Sequence, residues 1–283
     1  MRNLSPKRLT PAVVEIMAVG NELLNGSVQD GNSFWLIQQI MNLGGMVGRV
    51  TILPDDKAII AEEVRLTVNR TSNKPPAFLF LTGGLGPTID DLTVAAVAEG
   101  LGLPLFLDIQ ARKMIQRSYD ALAANGVIDQ GGLNPSREKM ALLPEGATVL
   151  SNPVGTAPGV LVRQNQTAIV CFPGVPPEMQ AIFETSLHPY MVNAFPAVNH
   201  ARSRLRIHSN DESFLAPYLR RFADHYPDIH VKALSGIIAD NPQLEFIFSV
   251  ADEDKNEVEA YLKRALEDLE MWLRSEGIDS RAI

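Results

Sequence analysis

The stretch AFLFLTGGLGPTIDDLTVAAVAEGLGL, residues 77–103, joins an apolar run, a glycine-rich turn and a helical pattern. The run is typical of a buried strand, and the residues after the turn place apolar side chains three and four positions apart, as on one face of an α-helix. Two adjacent carboxylates, Asp90 and Asp91, stand where this helix is expected to begin. A glycine turn that enters a helix normally binds anions through its free backbone N–H groups. The two carboxylates therefore need an explanation.

The flanking sequence predicts an α/β fold around this turn. Before it come a strand (VVEIMAV, 13–19), a helix (FWLIQQIMNLGG), a second strand (MVGRVTIL) and a second helix (DDKAIIAEEVRLTVNR). Strands that alternate with helices of this length form a mostly parallel sheet with helices on both faces. Such sheets bind ligands at the carboxyl ends of their strands. The loops GNELLNG and TGGLGPT are expected at that edge.

The pattern changes after residue 191, which predicts a second domain. Residues 192–201 (VNAFPAVNHA) read as a linker, and SRLRIHS and QLEFIFSV then alternate polar and apolar residues, as half-buried strands do. The final segment, NEVEAYLKRALEDLEMWLRS, has one apolar helical stripe. We therefore predict a large domain at 1–191 and a small α+β domain at 202–283.

Composition restricts the partners and the compartment. The 283 residues carry a net charge of −8, which argues against a general affinity for nucleic acid or for anionic membranes. No apolar window has the length of a membrane span, and the single cysteine fits a reducing compartment, so we expect a cytoplasmic protein. Cys171 lies in an apolar strand-like run and is predicted to be a core residue. Arg202, Arg204 and Arg206 alternate along a strand and are predicted to form a solvated face.

Helix capping is the simplest interpretation of the two aspartates. Thr88 is placed to cap the helix, with Asp91 three residues later as its partner in a capping box. Each carboxylate would then stabilise the helix by ~0.3–1 kcal/mol through its interaction with the helix dipole. Capping leaves Asp90 without a specific role, and it does not require three glycines within four positions.

A metal site is the alternative interpretation. Glycines permit positive φ and close approach of the backbone to a ligand, and the turn contains Gly83, Gly84 and Gly86. A phosphate bound there would meet two negative charges. Mg²⁺ removes this conflict, because it is commonly held by one or two carboxylates together with substrate phosphates. This interpretation predicts that Asp90 and Asp91 bind a metal ion that in turn binds phosphate.

Other candidate residues lie in loops expected at the same edge of the sheet. For Glu22, Asp30 and Asn32, solvated loop residues are an equally good interpretation. For the segment LSNPVGTAPGVLV, a plain hairpin connection is nearly as good an interpretation as a ligand-binding loop. Arg137 and Lys139 form the only basic cluster near these loops and are candidates to bind phosphate. The remaining candidates, in chain order, are Glu22, Asp30, Asn32, Asn134, Asn152, Thr156, Gly174 and Glu178.

Several common motifs are absent from the sequence. There is no G-x-x-x-x-G-K-[ST], no G-x-G-x-x-G in the turn and no G-x-S-x-G elbow. The five histidines show no paired ligand spacing, which argues against a transition-metal site.

Four motifs, VGNELLNG, LTGGLGPTIDDLT, NPVGTAPG and FPGVPPEM, occur in that order, and together they resemble the N-terminal region of the CinA family. That region belongs to the molybdopterin-binding superfamily that includes MoaB and MogA. The resemblance implies a three-layer α/β/α domain with a mostly parallel sheet, followed by a small KH-like domain, and a dimer. It also implies metal-dependent hydrolysis of ADP-ribose to AMP and ribose 5-phosphate. By motif position, the catalytic and metal-binding role falls on Asp90 or Asp91, with Glu22 and residues 30–32 nearby.

The chain departs from the family pattern in three places. It has Asp30-Gly31-Asn32 where the family usually has Asn-Thr-Asn, which adds a carboxylate. It ends before the amidohydrolase domain that many members carry, so deamidase activity is not expected. The small domain has HSNDES in place of a glycine-containing turn and lacks the G-x-x-G loop of true KH domains, so RNA binding is not implied.

We therefore expect a Mg²⁺-dependent hydrolase of a nucleotide pyrophosphate. In that site Asp90 and Asp91, with Asp30 as a third ligand, hold the metal, and Glu22 orients or deprotonates water. The backbone N–H groups of residues 83–88 bind phosphate. Two alternatives stay open, a pterin or nucleotide binder without hydrolytic activity and a nucleotidyl transferase that acts on molybdopterin.

Overall fold

The chain forms two compact units, Pro11–Phe195 and Pro196–Ile283. A computed structural model describes residues 12–71, 75–192, 195, 199–209, 211–234, 243–252 and 254–283. Within these ranges no helix has the length and apolar character needed to cross a membrane. The predicted boundaries at 191 and 202 stay predictions. The linker predicted at 192–201 is too long, however, because a strand of the smaller unit already begins at Asn199.

The larger unit is built on a mostly parallel sheet. Six of its strands form this sheet in the order β2-β1-β3-β8-β7-β6, and the other two form a short antiparallel pair. Strands β2, β1, β3 and β8 are parallel, whereas β7 runs antiparallel to both β8 and β6. The strands are β1 Val13–Val19, β2 Met46–Leu53, β3 Phe78–Thr82, β4 Leu105–Leu107, β5 Leu142–Pro144, β6 Thr148–Leu150, β7 Gly159–Gln164 and β8 Thr167–Phe172.

Helices cover both faces of this sheet, so the predicted three-layer α/β/α fold is confirmed. Apolar residues of α3, α4 and α5 pack on one face, and those of α2 and α7 pack on the other. A π-helical turn, Phe183–Leu187, continues α7. The helices are α1 Asn21–Leu24, α2 Gly31–Asn42, α3 Lys57–Val68, α4 Thr93–Leu101, α5 Ile109–Ala124, α6 Pro135–Lys139, α7 Pro176–Ile182 and α8 His188–Val192.

The strands alternate their side chains between the two layers. In β3, Leu79 and Leu81 contact the α3 and α4 side, and Phe78 and Phe80 contact the α2 side. Cys171 in β8 is 1% exposed, which confirms its prediction as a core residue. One predicted loop is partly wrong, because GNELLNG contains the short helix α1.

The smaller unit is a separate antiparallel sheet covered by helices. Its strands are β9 Asn199–Ile207, β10 His230–Leu234, β11 Leu244–Asp252 and β12 Ser280–Ala282, in the order β10-β11-β9-β12. Helices α9, Glu212–His225, and α10, Lys255–Ser275, contribute to its core. The predicted apolar face of β11 is confirmed, since Phe246 and Phe248 are 1% and 0% exposed.

Candidate functional site

The strand order creates a crevice between β1 and β3. The two strands are parallel neighbours, while β2 lies on the other side of β1. The helix after β1 that leads to β2 lies in one layer, and the helix after β3 lies in the other. Ligands of open α/β sheets bind at the carboxyl ends of strands where such connections diverge. The glycine turn follows β3 at this position.

Glycine is required at two positions of the turn. Gly83 and Gly84 have φ of 105° and 70°, in the left-handed region that favours glycine. A Cβ on Gly83 would collide with the carbonyl oxygen of Val19 at the end of β1, and a Cβ on Gly84 would collide with the hydroxyl of Thr93. The turn therefore packs its backbone directly against the neighbouring strand. Gly86 has no positive φ, but a Cβ there would lie 2.6 Å from Asp91 Oδ2.

Helix α4 begins later than predicted. Its first residue is Thr93 and its N-cap is Leu92, which makes no side-chain cap bond. Thr93 instead bonds to the glycine turn, donating its hydroxyl to Gly83 O at 2.7 Å and its N–H to Gly84 O at 3.1 Å. The predicted capping box at this helix is therefore wrong, and both aspartates lie in the turn before it.

Thr88 joins the two aspartates. Its hydroxyl contacts Asp90 Oδ1 and lies 2.6 Å from Asp91 Oδ2, and its N–H donates to the same Asp91 oxygen at 2.8 Å. The hydrogen bond from Thr88 is the main cause that lowers the pKa of Asp90, followed by the backbone N–H of Asp90 and by the charge of Lys139. Asp90 is exposed, and its carboxyl group is ionised at neutral pH.

Lys139 anchors the same turn. Its ammonium group donates to the carbonyl oxygens of Thr88 and of Asp91, the latter at 3.0 Å. The predicted proximity of this basic residue to the turn is thereby confirmed. Asp91 and Lys139 both line a small cavity of about 100 Å³, whose other walls are mainly apolar residues of α4, β4 and β7 and of the segment around Met140.

Three consecutive backbone N–H groups of the turn are available to a ligand. Gly83 N–H donates to Phe172 O at 3.0 Å, and Thr88 N–H is taken by Asp91. Between them, the N–H groups of Gly84, Leu85 and Gly86 have no acceptor among the residues that the structure describes. Adjacent unpaired N–H groups of this kind bind anionic oxygens.

Asn32, in the first turn of α2, contacts the ends of two other strands. Its side-chain amide donates to Thr82 Oγ1 and to Gly174 O, both at 2.8 Å. Its Oδ1 atom is buried and has no hydrogen-bond partner among the described residues. Asn32 and Gly174 are predicted site residues, whereas Thr82 is not, because the last residue of an apolar strand gives no separate signal in the sequence.

Glu22 and Asp30 flank the loop between α1 and α2. The Glu22 side chain is exposed, and its carboxylate lies over the backbone of Gly20, where a Cβ would collide with it. Asp30 is the N-cap of α2, with Oδ1 accepting from Ser33 N–H at 2.9 Å. One oxygen of Asp30 therefore has a structural role, and its predicted role as a metal ligand stays a prediction.

The segment around Asn152 is a hairpin connection, as the simpler interpretation predicted. It joins β6 to β7, and Asn152 organises it by accepting from Gly155 N–H at 2.9 Å and donating to Ala157 O at 2.8 Å. Asn152 also donates to Glu178 Oε2 at 2.6 Å. Burial raises the pKa of Glu178, and the bond from Asn152 opposes this shift. Thr156 lies in the same loop and is partly exposed.

Asn134 and Arg137 have structural contacts rather than a visible place in the crevice. Asn134 is the N-cap of α6, accepting from Arg137 N–H at 2.9 Å. The Arg137 guanidinium donates to the carbonyl oxygens of Gln130, Gly131 and Gly132 and stacks on the Tyr119 ring at 4.0 Å. All three bonds come from Nη1, and the Tyr119 ring covers one face of the guanidinium, so Arg137 is a weaker phosphate candidate than the sequence suggested.

Comparisons with known proteins place the chain in a family. Residues 15–193 match the family model described as a probable molybdopterin binding domain. Protein PAE0875 of Pyrobaculum aerophilum is 35% identical over 254 residues, which cover 89% of this chain and 91% of that protein. Protein PF0476 of Pyrococcus furiosus is 35% identical over 267 residues, covering 94% and 98%.

A solved structure agrees with this assignment. The structure of the protein CinA with unknown function from Thermoplasma acidophilum is 31% identical and matches with a TM-score of 0.55, covering 63% of this chain and 98% of that one. The resemblance to CinA that the four sequence motifs indicated is thereby confirmed. The chain belongs to the family of the probable molybdopterin binding domain and is similar to CinA.

Proposed function

We propose that the crevice between β1 and β3 binds a phosphate-bearing nucleotide or pterin, and that the protein hydrolyses the phosphoanhydride of a nucleotide pyrophosphate, with ADP-ribose as the substrate to test first. One observation carries the proposal. The turn offers three unpaired N–H groups, at residues 84–86, next to two carboxylates that have no salt bridge among the described residues. The N–H groups attract an anion and the carboxylates repel it, and a cation bound between them would remove this conflict.

The donor set fits a hard divalent cation. Asp90 and Asp91 supply adjacent carboxylates, and Thr88 supplies a hydroxyl between them. No group of three or more His, Cys, Asp or Glu residues suited to a metal comes together within the described ranges. Mg²⁺ suits such a small set, because it usually keeps several waters and takes one or two carboxylates together with substrate phosphates. When bound, the ion would neutralise negative charge on the phosphates.

The residues of the chain divide the remaining work. The N–H groups of residues 84–86 hold phosphate oxygens in a fixed orientation, which costs no reorganisation during the reaction. Lys139 keeps the turn in place through its two carbonyl contacts. Glu22, in the short helix α1 that follows β1, accepts a proton from the water whose oxygen attacks phosphorus. The anhydride P–O bond breaks, and AMP and ribose 5-phosphate leave.

The experiment measures binding and turnover separately. The purified protein is incubated with ADP-ribose and Mg²⁺, AMP is quantified by chromatography, and affinity is measured by calorimetry. D90N and D91N are each expected to lower turnover at least about 100-fold, the scale of losing one preorganised electrostatic group. E22Q is expected to lower turnover and leave affinity unchanged. E145Q, at an exposed carboxylate outside the site, is the control and should match the wild type.

Two outcomes would replace this function by an alternative. Tight ADP-ribose binding without AMP release, unchanged by Mg²⁺, would make the protein a binder, which the family description as a probable molybdopterin binding domain also favours. Transfer of AMP from a nucleotide onto a pterin would make it a nucleotidyl transferase.

A further inference from the structure

One face of the smaller unit's sheet carries a concentration of positive charge. Alternate residues of β9 and β11 face the helices, and the others face away. The register places Arg202 opposite Ser249, Arg204 opposite Ile247 and Arg206 opposite Glu245. Lys232 of β10 is opposite Ile247 on the other side, and Arg281 of β12 is opposite Arg206. We call the side of the sheet that carries these five cations the basic face: Arg202, Arg204, Arg206, Lys232 and Arg281.

Four of the five cations are exposed. Arg202, Arg204, Lys232 and Arg281 are exposed, and none of them has a salt bridge among the residues that the structure describes. Arg206 pairs with Glu245 at 2.6 Å, the one carboxylate in the register of this face. The basic face therefore has a net charge of +4.

The rest of the unit has the opposite sign. Residues 199–283 contain 11 Lys and Arg against 16 Asp and Glu residues, a net charge of −5. With +4 on the basic face, the other residues of this range carry −9. The acidic balance of the whole chain, which argued against polyanion binding, is therefore an average over a strongly uneven distribution. A local potential decides where a charged partner approaches.

The spacing of the cations suits a chain of phosphates. Alternate residues of an antiparallel strand lie about 6.8 Å apart, and neighbouring strands lie about 4.8 Å apart. The three arginines of β9 thus form a row whose repeat is comparable to the spacing of neighbouring phosphates in an extended polynucleotide. Guanidinium groups bind phosphate through paired N–H donors, which ammonium groups do not.

The remaining chemistry of the face favours contact with a phosphate backbone over contact with bases. Ile247, at the centre of the face, is only 8% exposed and Leu234, opposite Glu245, is half-buried, so little apolar surface is presented. No Phe, Tyr or Trp occupies the described outward positions of β9, β10, β11 or β12, where His230 supplies one exposed imidazole for stacking on a base. Contacts to phosphate alone carry no sequence information.

We propose that the basic face binds the phosphate backbone of single-stranded nucleic acid without sequence preference. The proposal is independent of the hydrolase site. It also does not use a G-x-x-G loop, which the smaller unit lacks. An acidic surface of a second copy of the chain is a poorer partner. The basic face of one copy would dock on a different surface of the next, and such a head-to-tail contact does not form a closed dimer by itself.

Salt dependence provides the primary test. Binding of fluorescein-labelled dT20 and rU20 to the full chain is measured by anisotropy between 50 and 200 mM salt, and the two probes distinguish DNA from RNA. Four neutralised phosphates predict a slope of log K against log salt of about −2.8, which is a loss of about 50-fold over this range. R202Q/R204Q is expected to halve the slope to about −1.4 and to weaken binding at 50 mM salt.

A gain in affinity separates the proposal from misfolding. E245Q releases Arg206 from its partner, so we expect tighter binding at 50 mM salt and a slope near −3.5. K263Q/R274Q removes two exposed cations from α10 and changes the net charge as much as R202Q/R204Q does. This control is expected to bind like the wild type.

The following results would overturn the proposal. Neither oligonucleotide binds the wild type at 50 mM salt, or the α10 control loses as much affinity as R202Q/R204Q, or E245Q binds no tighter. Binding to vesicles with phosphatidylserine but to neither oligonucleotide would assign the face to a membrane. A salt-sensitive dimer that R202Q/R204Q abolishes, without oligonucleotide binding, would assign it to a second copy.

Discussion

Replacement of Arg70 by alanine is expected to destabilise the larger unit by about 3–5 kcal/mol, because it leaves a buried carboxylate without its partner. Glu15 lies in the middle of β1 and is 5% exposed. Both of its carboxylate oxygens accept from the Arg70 guanidinium, Oε2 at 3.1 Å. In R70A no other cation is bonded to this carboxylate within the described residues, and the charge must be solvated, protonated or left unpaired.

Tryptophan fluorescence measures this loss of stability in the larger unit. The chain has two tryptophans, of which Trp35 lies in α2 and packs on Phe183 at 5.2 Å, whereas Trp272 lies in α10 of the other unit. Urea unfolding in a Trp272→Phe background therefore reports the larger unit alone. For a unit of this size, 3–5 kcal/mol corresponds to a fall in Tm of about 6–20 °C.

Arg65 provides a matched control in the same region. It pairs with Glu62 on the surface of α3, where both side chains are about half exposed, at 55% and 50%. R65A is expected to cost less than about 0.5 kcal/mol, because exposed pairs at this spacing contribute little. If R70A costs no more than R65A, or if E15V/R70M fails to recover most of the lost stability, the reasoning from burial is wrong.

Three further predictions follow from backbone geometry and burial. G84A should cost more than the ~1–2 kcal/mol of placing a non-glycine residue in the left-handed region, because its Cβ would also collide with Thr93. G102A, where φ is 67° and the space around the Cβ is open, should cost only that ~1–2 kcal/mol. The same urea assay compares the two variants. Cys171 should resist DTNB at pH 8 until urea unfolds the protein, because burial raises its pKa to about 12. Because the pKa of Glu178 is raised by burial, its contribution to stability is greatest at low pH. The stability of the wild type relative to E178Q should therefore fall as pH rises above about 4.5, in unfolding measurements from pH 4 to 7.

Local patterns predicted most of the large sheet. Strands β1 and β2 begin and end at the predicted residues, because each is a short apolar run between polar segments or glycines. The apolar face of β11 follows from simple alternation and is also confirmed. The four ordered motifs identified the family, since no single one of them is specific. These features depend only on neighbours in the chain.

The local signal failed at the start of α4, where the glycine turn and not a cap sets the first helical residue. The Thr88 and Asp91 spacing predicted a cap, yet Thr93 takes the carbonyl oxygens of the glycine turn and the helix starts there. The two aspartates are thereby left outside the helix. Similarly, the sequence could not distinguish Arg137 from Lys139. Only the fold shows that Arg137 bonds within its own loop and that Lys139 reaches the glycine turn.

The sequence by itself determined the order of elements, the glycine turn and the presence of two adjacent carboxylates, because these depend on residue type and spacing. Only the tertiary structure decided that β3 lies beside β1, that Asn32 joins Thr82 to Gly174, and that Lys139 reaches the turn from 48 residues away. The same holds for the basic face, where β9, β10 and β12 bring five cations to one surface. Contacts between residues far apart in the chain depend on strand order and register, and no local pattern encodes either of them.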